Sequence, residues 1–205
     1  MKSRFIIFLM FLLLMCVSLM AQEPIDADIT KAQINRLKEG TLLIKLNTQS
    51  VRIDHKLKSG QKKQAQKLIE EVNKEHSQII NGFKNHYTYS DYYFFLSDDS
   101  DEVILEKNYK PLFKNKTDKS EIVNSLKNPF LIILGIPPGY SSVDKYKFIL
   151  HELGDDGITP IHKPMPKVYK TQTKKLFSNK YDFDRAVELL QERLIKYEEK
   201  VHSAK

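Results

Sequence analysis

The sequence predicts an α/β domain in which a mixed sheet is flanked by helices. Short apolar runs of strand length alternate with longer segments whose apolar residues recur at helical spacing. The predicted order is strand, helix, strand, helix, strand, strand, helix, and such alternation is typical of layered α/β folds. No low-complexity linker interrupts residues 22–205, so we expect a single α/β domain there.

The first half of the chain is predicted to hold two strands and two helical regions. Residues 29–39 space their apolar side chains at helical intervals and end at a glycine, a natural helix stop. Residues 41–46, TLLIKL, are too short and too apolar for an amphipathic helix, so they indicate an interior strand. Residues 51–86 form a long helical region broken near Gly60, and residues 91–96 form the second strand.

A short helix and the most apolar strand are predicted next. Asp118 and Glu121 stand at the spacing of a capping box, which predicts a helix over residues 120–127. Pro129 follows, and residues 130–134, FLIIL, indicate a buried strand.

The last part of the chain is predicted to contain a hairpin and a long helix. Residues 146–153 and 158–162 flank the turn-forming sequence GDDG, which is typical of a β-hairpin. A Lys- and Pro-rich segment near residues 163–180 is expected to be extended. Asp182 then caps an amphipathic helix, whose apolar stripe is Phe183, Ala186, Val187, Leu190, Leu194, Tyr197 and Val201.

The amino terminus has the pattern of a secretory signal peptide over residues 1–21. Lys2 and Arg4 precede an uncharged apolar run at residues 5–19, and Ala21 precedes the return of polarity. We therefore expect an exported protein, periplasmic or secreted, with no transmembrane segment once the signal is removed. Retention of the signal as a membrane anchor is the alternative, although the run is shorter than the roughly 20 residues of a spanning helix.

Removal of the signal would leave a chain without cysteine, because Cys16 is the only one. A thiol nucleophile, a redox dithiol, a thiolate metal site and a disulfide are then all excluded. Stability must come from an ordinary hydrophobic core, for which the remaining length is sufficient.

The element order resembles that of the thioredoxin-like fold from residue 41 to the carboxyl terminus. Pro129 stands where that family keeps a proline just before its third strand, so the resemblance implies that Pro129 lies near residues 48–50. Where the family carries its cysteine pair, this chain has the sequence NTQS at residues 47–50. The oxidoreductase activity of the family is therefore not implied. The chain as a whole also looks like small exported bacterial proteins without an assigned function.

An acidic cluster directly after the second strand is the first candidate for chemistry. The segment YYFFLSDDSDE ends in Asp98, Asp99, Asp101 and Glu102, which could supply oxygen ligands to calcium or another divalent cation. The loop has no glycine and no EF-hand pattern, and Asp and Ser also favour plain turns. We expect no cofactor and a solvated turn, with a divalent-cation site as the alternative.

A lysine tract is the second candidate. The chain carries a net charge of +7, distributed unevenly, and residues 163–175 contain five lysines and no acid. A tract of this kind can attract polyanions or an anionic lipid surface. The lysines concerned are Lys163, Lys167, Lys170, Lys174 and Lys175.

Function is predicted mainly by exclusion. The chain lacks the G-x-S-x-G elbow of hydrolases and the glycine-rich phosphate and dinucleotide motifs. We therefore expect a non-catalytic binding or interaction module whose partner is a protein or a glycan, and no nucleic-acid partner. One alternative is a divalent-metal hydrolase that uses residues 98–102, assisted by His151 or His162. The other is a polyanion or membrane-surface binder that uses the lysine tract.

Overall fold

The computed structural model of the chain describes residues 27–114, 126–135, 147–154, 157–160, 170–172 and 182–203. These residues form four α-helices and six β-strands. The helices are α1 (Ala27–Glu39), α2 (Ser50–Lys58), α3 (Lys62–His86) and α4 (Phe183–Ser203). The strands are β1 (Thr41–Leu46), β2 (Asp91–Leu96), β3 (Pro129–Gly135), β4 (Lys147–Gly154), β5 (Gly157–Pro160) and β6 (Lys170–Gln172).

The strands form one mixed sheet in the order β2-β1-β3-β4-β5, with β6 also paired to β4. Strand β1 lies between β2 and β3 and runs parallel to both. Strand β4 is antiparallel to β3, β5 and β6. The predicted α/β class with a mixed sheet and flanking helices is therefore confirmed.

The sheet has a hydrophobic core on each face, because successive strand residues point to opposite sides. Leu42, Ile44 and Leu46 of β1 join the core formed with α1, α3 and α4. Leu43 points the other way and packs with Phe95, Val103, Leu112 and Leu131. The connection from β1 to β2 thus covers one face, and the described part of the connection from β2 to β3 covers the other.

The resemblance to the thioredoxin-like fold is wrong in its placement of Pro129. Because β3 is parallel to β1, Pro129 pairs with Thr41 at the amino end of β1. Residues 48–50 follow the opposite end of that strand, about 20 Å away at 3.3 Å per residue. An apolar run has the same pattern in either direction, so strand direction was not evident from it.

The other predicted elements agree with the structure wherever it describes them, except that residues 126 and 127, the end of the predicted 120–127 helix, are not helical. The long helical region is broken as expected, with α2 and α3 separated by Gly60 at φ 76°. The predicted signal peptide, the core of the 120–127 helix and most of the Lys- and Pro-rich segment lie outside the described residues. Within the described ranges, no helix combines the length and apolarity needed to cross a membrane.

Candidate functional site

The carboxyl ends of the parallel strands β1, β2 and β3 meet at one edge of the sheet. The chain leaves β1 for β2 on one side and reaches β3 on the other, so the order of the strands reverses at β1. Open α/β sheets bind ligands outside the carboxyl ends of their strands at such a point. Two adjoining clefts lie at this edge.

The loop between β1 and α2 is a tight turn that begins helix α2. The backbone N–H of Gln49 donates to Asn47 Oδ1 at 3.1 Å, and Gln49 takes the left-handed conformation at φ 52°. The carbonyl of Gln49 then accepts from the N–H groups of Arg52 and Ile53, both at 3.0 Å. This turn directs the first residues of α2 toward the sheet edge.

Asp98 ties this loop to the end of β2. Its Oδ1 accepts hydrogen bonds from Thr48 Oγ1 at 2.6 Å and from Ser50 Oγ at 2.9 Å. Ser97 Oγ in turn accepts from the N–H of Thr48 at 3.0 Å. The carboxyl ends of two neighbouring strands are thereby held together by side chains, so the hydroxyl groups and the carboxylate keep a defined arrangement.

The first cleft, which we call the polar cleft, has a volume of about 790 Å³. Its wall carries hydrogen-bond donors and acceptors, and side chains of both positive and negative charge. These groups are the Arg52 guanidinium, the His55 ring, the Asp98 and Glu75 carboxyls, and hydroxyl and amide side chains. It is lined by Asn47, Thr48, Gln49, Ser50, Val51, Arg52, His55, Glu75, Ser97, Asp98, Leu134 and Phe183. The volume lies within the range of about 300–1,000 Å³ that is usual for small-molecule sites.

Glu75 enters the polar cleft from helix α3. The apolar stripe of that helix runs through Leu68, Val72 and Ile79, and Glu75 occupies a position on the same side. Burial raises the pKa of the Glu75 carboxyl above its ordinary value of 4.5, because the charged form loses hydration there. The wall of the cleft therefore includes a carboxyl that is partly withdrawn from water.

The second cleft, which we call the apolar cleft, has a volume of about 670 Å³ and shares Thr48 with the first. The Nε2–H of His76, at its wall, donates to the carbonyl of Asn47 at 3.0 Å, which joins α3 to the β1–α2 loop. Seven of its twelve lining residues are apolar, compared with three of the twelve that line the polar cleft. The lining residues are Thr48, Ile53, Ile69, Val72, Asn73, His76, Leu96, Asp99, Lys110, Pro111, Leu112 and Phe113.

The predicted acidic cluster is divided between different surroundings. It forms a 3-10 turn at Ser97–Asp99 and a π-helical turn at Asp101–Leu105. Asp98 faces the β1–α2 loop, Asp99 lines the apolar cleft, and Glu102 accepts from Asn108. No group of three or more His, Cys, Asp or Glu side chains that could hold a metal ion occurs among the described residues.

The histidines and lysines of the alternative predictions are only partly described. The register of β5 places Pro160 opposite His151, and His162 lies outside the described residues. Lys170 begins strand β6, which pairs with β4. The remaining lysines of the tract, Lys163, Lys167, Lys174 and Lys175, lie outside the described residues.

Thr48, Ser50, Arg52 and Glu75 were not identified from the sequence as site residues. A signal was present for the loop, because NTQS follows an apolar strand and polar loops at strand ends often carry function. Glu75 had a weaker signal, a charged residue within the spacing of an apolar helical stripe. Neither pattern indicates by itself that these residues meet Asp98.

Comparison of the chain with protein-family models, with curated proteins and with solved structures finds no match. Functional inference for this chain therefore rests on its own side chains.

Proposed function

We propose that the chain is an exported, non-catalytic binding module that holds a neutral, hydroxyl-rich ligand of the glycan class in the polar cleft. The observation that carries the proposal is the mixed lining of this cleft, in which Arg52 and His55 face the same space as Glu75 and Asp98. The cleft also lies where open α/β sheets bind their ligands.

The oppositely charged side chains that line the polar cleft favour a ligand with no net charge. An anion in the cleft would lie close to Asp98 and Glu75, whereas a cation would lie close to the Arg52 guanidinium. A sugar hydroxyl both donates and accepts hydrogen bonds, so it can pair with the carboxylates and with the guanidinium at once. Neutral saccharides therefore fit the lining better than either charged class.

The geometry supports this function better than the metal-dependent hydrolase. The acids of residues 98–102 do not form a metal-holding group. Asp98 Oδ1 is also engaged by two hydroxyl groups, which fix the carboxylate as part of the wall. A binding role requires only that such polar groups stay in place.

The proposal is tested by titrating the exported protein with saccharides while its backbone amide NMR signals are recorded. The probes are glucose, galactose, mannose and N-acetylglucosamine with their common disaccharides, and galacturonate and glucosamine as charged counterparts. We expect a neutral saccharide to shift the signals of the β1–α2 loop and of Asp98, and the charged counterparts to bind about tenfold more weakly. That factor corresponds to about 1.4 kcal/mol, a modest value for one unfavourable charge contact.

A matched pair of variants on helix α2 provides the control. Arg52→Gln removes a cation from the cleft and should weaken saccharide binding about tenfold, the usual value of one charge-assisted hydrogen bond. Lys58→Gln removes the same charge from an exposed position outside both clefts and should change nothing. If no neutral saccharide shifts these signals, or if the two variants bind equally well, the proposal is wrong.

A further inference from the structure

The apolar cleft adjoins the polar cleft and differs from it in chemistry. Its polar lining residues are Thr48, Asn73, His76, Asp99 and Lys110, and His76 bonds to the carbonyl of Asn47. Helices α2 and α3 supply the apolar lining residues Ile53, Ile69 and Val72. A larger share of its lining residues is therefore apolar than in the polar cleft, which it meets at Thr48.

Helix α2 forms the wall between the two clefts. Arg52 and His55 face the polar cleft, and Ile53 faces the apolar one. The side chain of Thr48, just before the helix, contributes to both. A ligand that filled both clefts would pass beside Thr48 and the amino end of α2.

Helix α2 buries little of its surface for an element of this fold. It has no buried residue, although its sequence SVRIDHKLK includes three apolar side chains. Val51 is 84% exposed and Leu57 is 47% exposed. Residues with positive φ, Gln49 at 52° and Gly60 at 76°, flank the helix on its two sides.

We propose that the apolar cleft holds the hydrocarbon chain of an amphiphile whose sugar head is bound in the polar cleft. The ligand class is then an alkylated or acylated glycan. This inference rests on the proposed function, because it assigns the head group to the same polar cleft. The two clefts adjoin at Thr48, and the polar residues of the first and the apolar residues of the second match the two parts of such a molecule.

The volume and the lining also agree with a chain of this kind. About 670 Å³ is within the usual range for small-molecule sites, which are mostly apolar with a few polar groups at defined places. Lys110 and Asp99, of opposite charge, are both at the wall, so the cleft gives no preference for a charged chain end. The contacts that a hydrocarbon chain would make are those with the seven apolar lining residues.

The test is calorimetric titration of the exported protein with methyl, butyl, hexyl and octyl β-glucoside, all below their micelle concentrations. Each methylene buried in the cleft should strengthen binding up to about fourfold, so octyl should bind up to about fifteenfold more tightly than hexyl. 1-Octanol serves as the probe without a sugar head, and it should bind more weakly than octyl glucoside.

Variants of the two walls separate the parts of the proposal. Ile69→Ser and Ile53→Ser replace half-buried residues that line the apolar cleft. Each should weaken the binding of octyl glucoside at least tenfold and leave the binding of methyl glucoside unchanged. Leu57→Ser, on the same helix but outside both clefts, should affect neither probe. Arg52→Gln should weaken both glucosides by the same factor. Because Ile53→Ser and Ile69→Ser are independent variants of the apolar cleft, the test still gives a result if one of them folds poorly.

The outcomes distinguish this inference from the proposed function. If methyl glucoside binds but chain length has no effect, the inference is overturned and the proposed function stands. If 1-octanol binds as tightly as octyl glucoside and Arg52→Gln changes the affinity for neither glucoside, the sugar head does not use the polar cleft. Both proposals are then overturned. If sedimentation shows a dimer that Ile69→Ser converts to a monomer, a second copy occupies the cleft and the amphiphile is excluded.

Discussion

The junction of α1, β1 and β3 provides a sharp test of the packing, because Gly40 has no room for a side chain. A Cβ added to Gly40 would lie 2.5 Å from the carbonyl oxygen of Arg36 and 2.5 Å from that of Asn128. Both contacts are with backbone atoms, and the neighbouring Thr41 N–H already donates to the Lys127 carbonyl at 2.9 Å. Gly40→Ala therefore forces α1 away from the start of β3.

The magnitude follows from two opposing terms. Overpacking of this kind costs about 1–3 kcal/mol, and two clashes with backbone place it near the upper end. Replacement of glycine by alanine also stabilises by about 0.4–1 kcal/mol through the unfolded chain. The net loss is about 2 kcal/mol, which for a chain of this length lowers the melting temperature by about 4–8 °C.

Gly60→Ala is the matched control, since a Cβ there meets nothing within 4 Å but the backbone has φ 76°. The left-handed conformation costs alanine about 1–2 kcal/mol, and the unfolded-state gain is the same about 0.4–1 kcal/mol, so the melting temperature should fall by about 0–6 °C, less than for Gly40→Ala. Thermal melts followed by circular dichroism under one buffer condition measure both. If Gly40→Ala melts within about 2 °C of the parent, or above Gly60→Ala, the close approach at this junction is refuted.

Three further predictions concern the polar cleft and the core. Burial raises the pKa of Glu75 above 4.5, so the carboxylate destabilises the folded state once the pH rises above that value, and Glu75→Gln should raise the melting temperature at neutral pH but not below pH 4.5. A rise in melting temperature that persists at low pH would contradict this. Phe83→Ala should lower the free energy of unfolding in urea by about 3–5 kcal/mol, because the ring of Phe83 is fully buried and its centroid lies 5.3 Å from that of Tyr87. A loss of unfolding free energy below about 1 kcal/mol would show that the core is not centred there. In a double-mutant cycle of thermal stability, Asp98→Ala and Ser50→Ala should show a coupling free energy of about 0.5–1 kcal/mol, because Ser50 Oγ donates a hydrogen bond to Asp98 Oδ1. Strictly additive effects would mean that the two side chains are not hydrogen-bonded.

The elements of the fold were largely evident from the sequence because they depend on local spacing. The strands at 41–46 and 91–96 and the helix that begins at Phe183 were predicted within a residue or two. The strands are short apolar runs, too short for a helix, and the apolar residues of the helix recur at helical spacing. The break between α2 and α3 was evident for a similar local reason, the glycine at position 60.

The direction of β3 and the candidate site were not evident, because they depend on residues far apart in the chain. Thr48 and Asp98 are hydrogen-bonded across 50 residues, and only the parallel pairing of β1 with β2 brings them to the same edge. Glu75 comes to that edge from a third segment, the helix between the two strands.

The sequence by itself determined the long helices, the strands β1 to β5 and the α/β class, since each follows from the burial pattern of a few consecutive residues. The tertiary structure alone decided that β3 runs parallel to β1 and that the polar ends of β1 and β2 meet Glu75 at one cleft. The physical reason is that strand direction and neighbour choice are set by how whole faces of helices and sheet pack together. A short apolar segment contributes the same burial in either direction, so its own residues do not encode that choice.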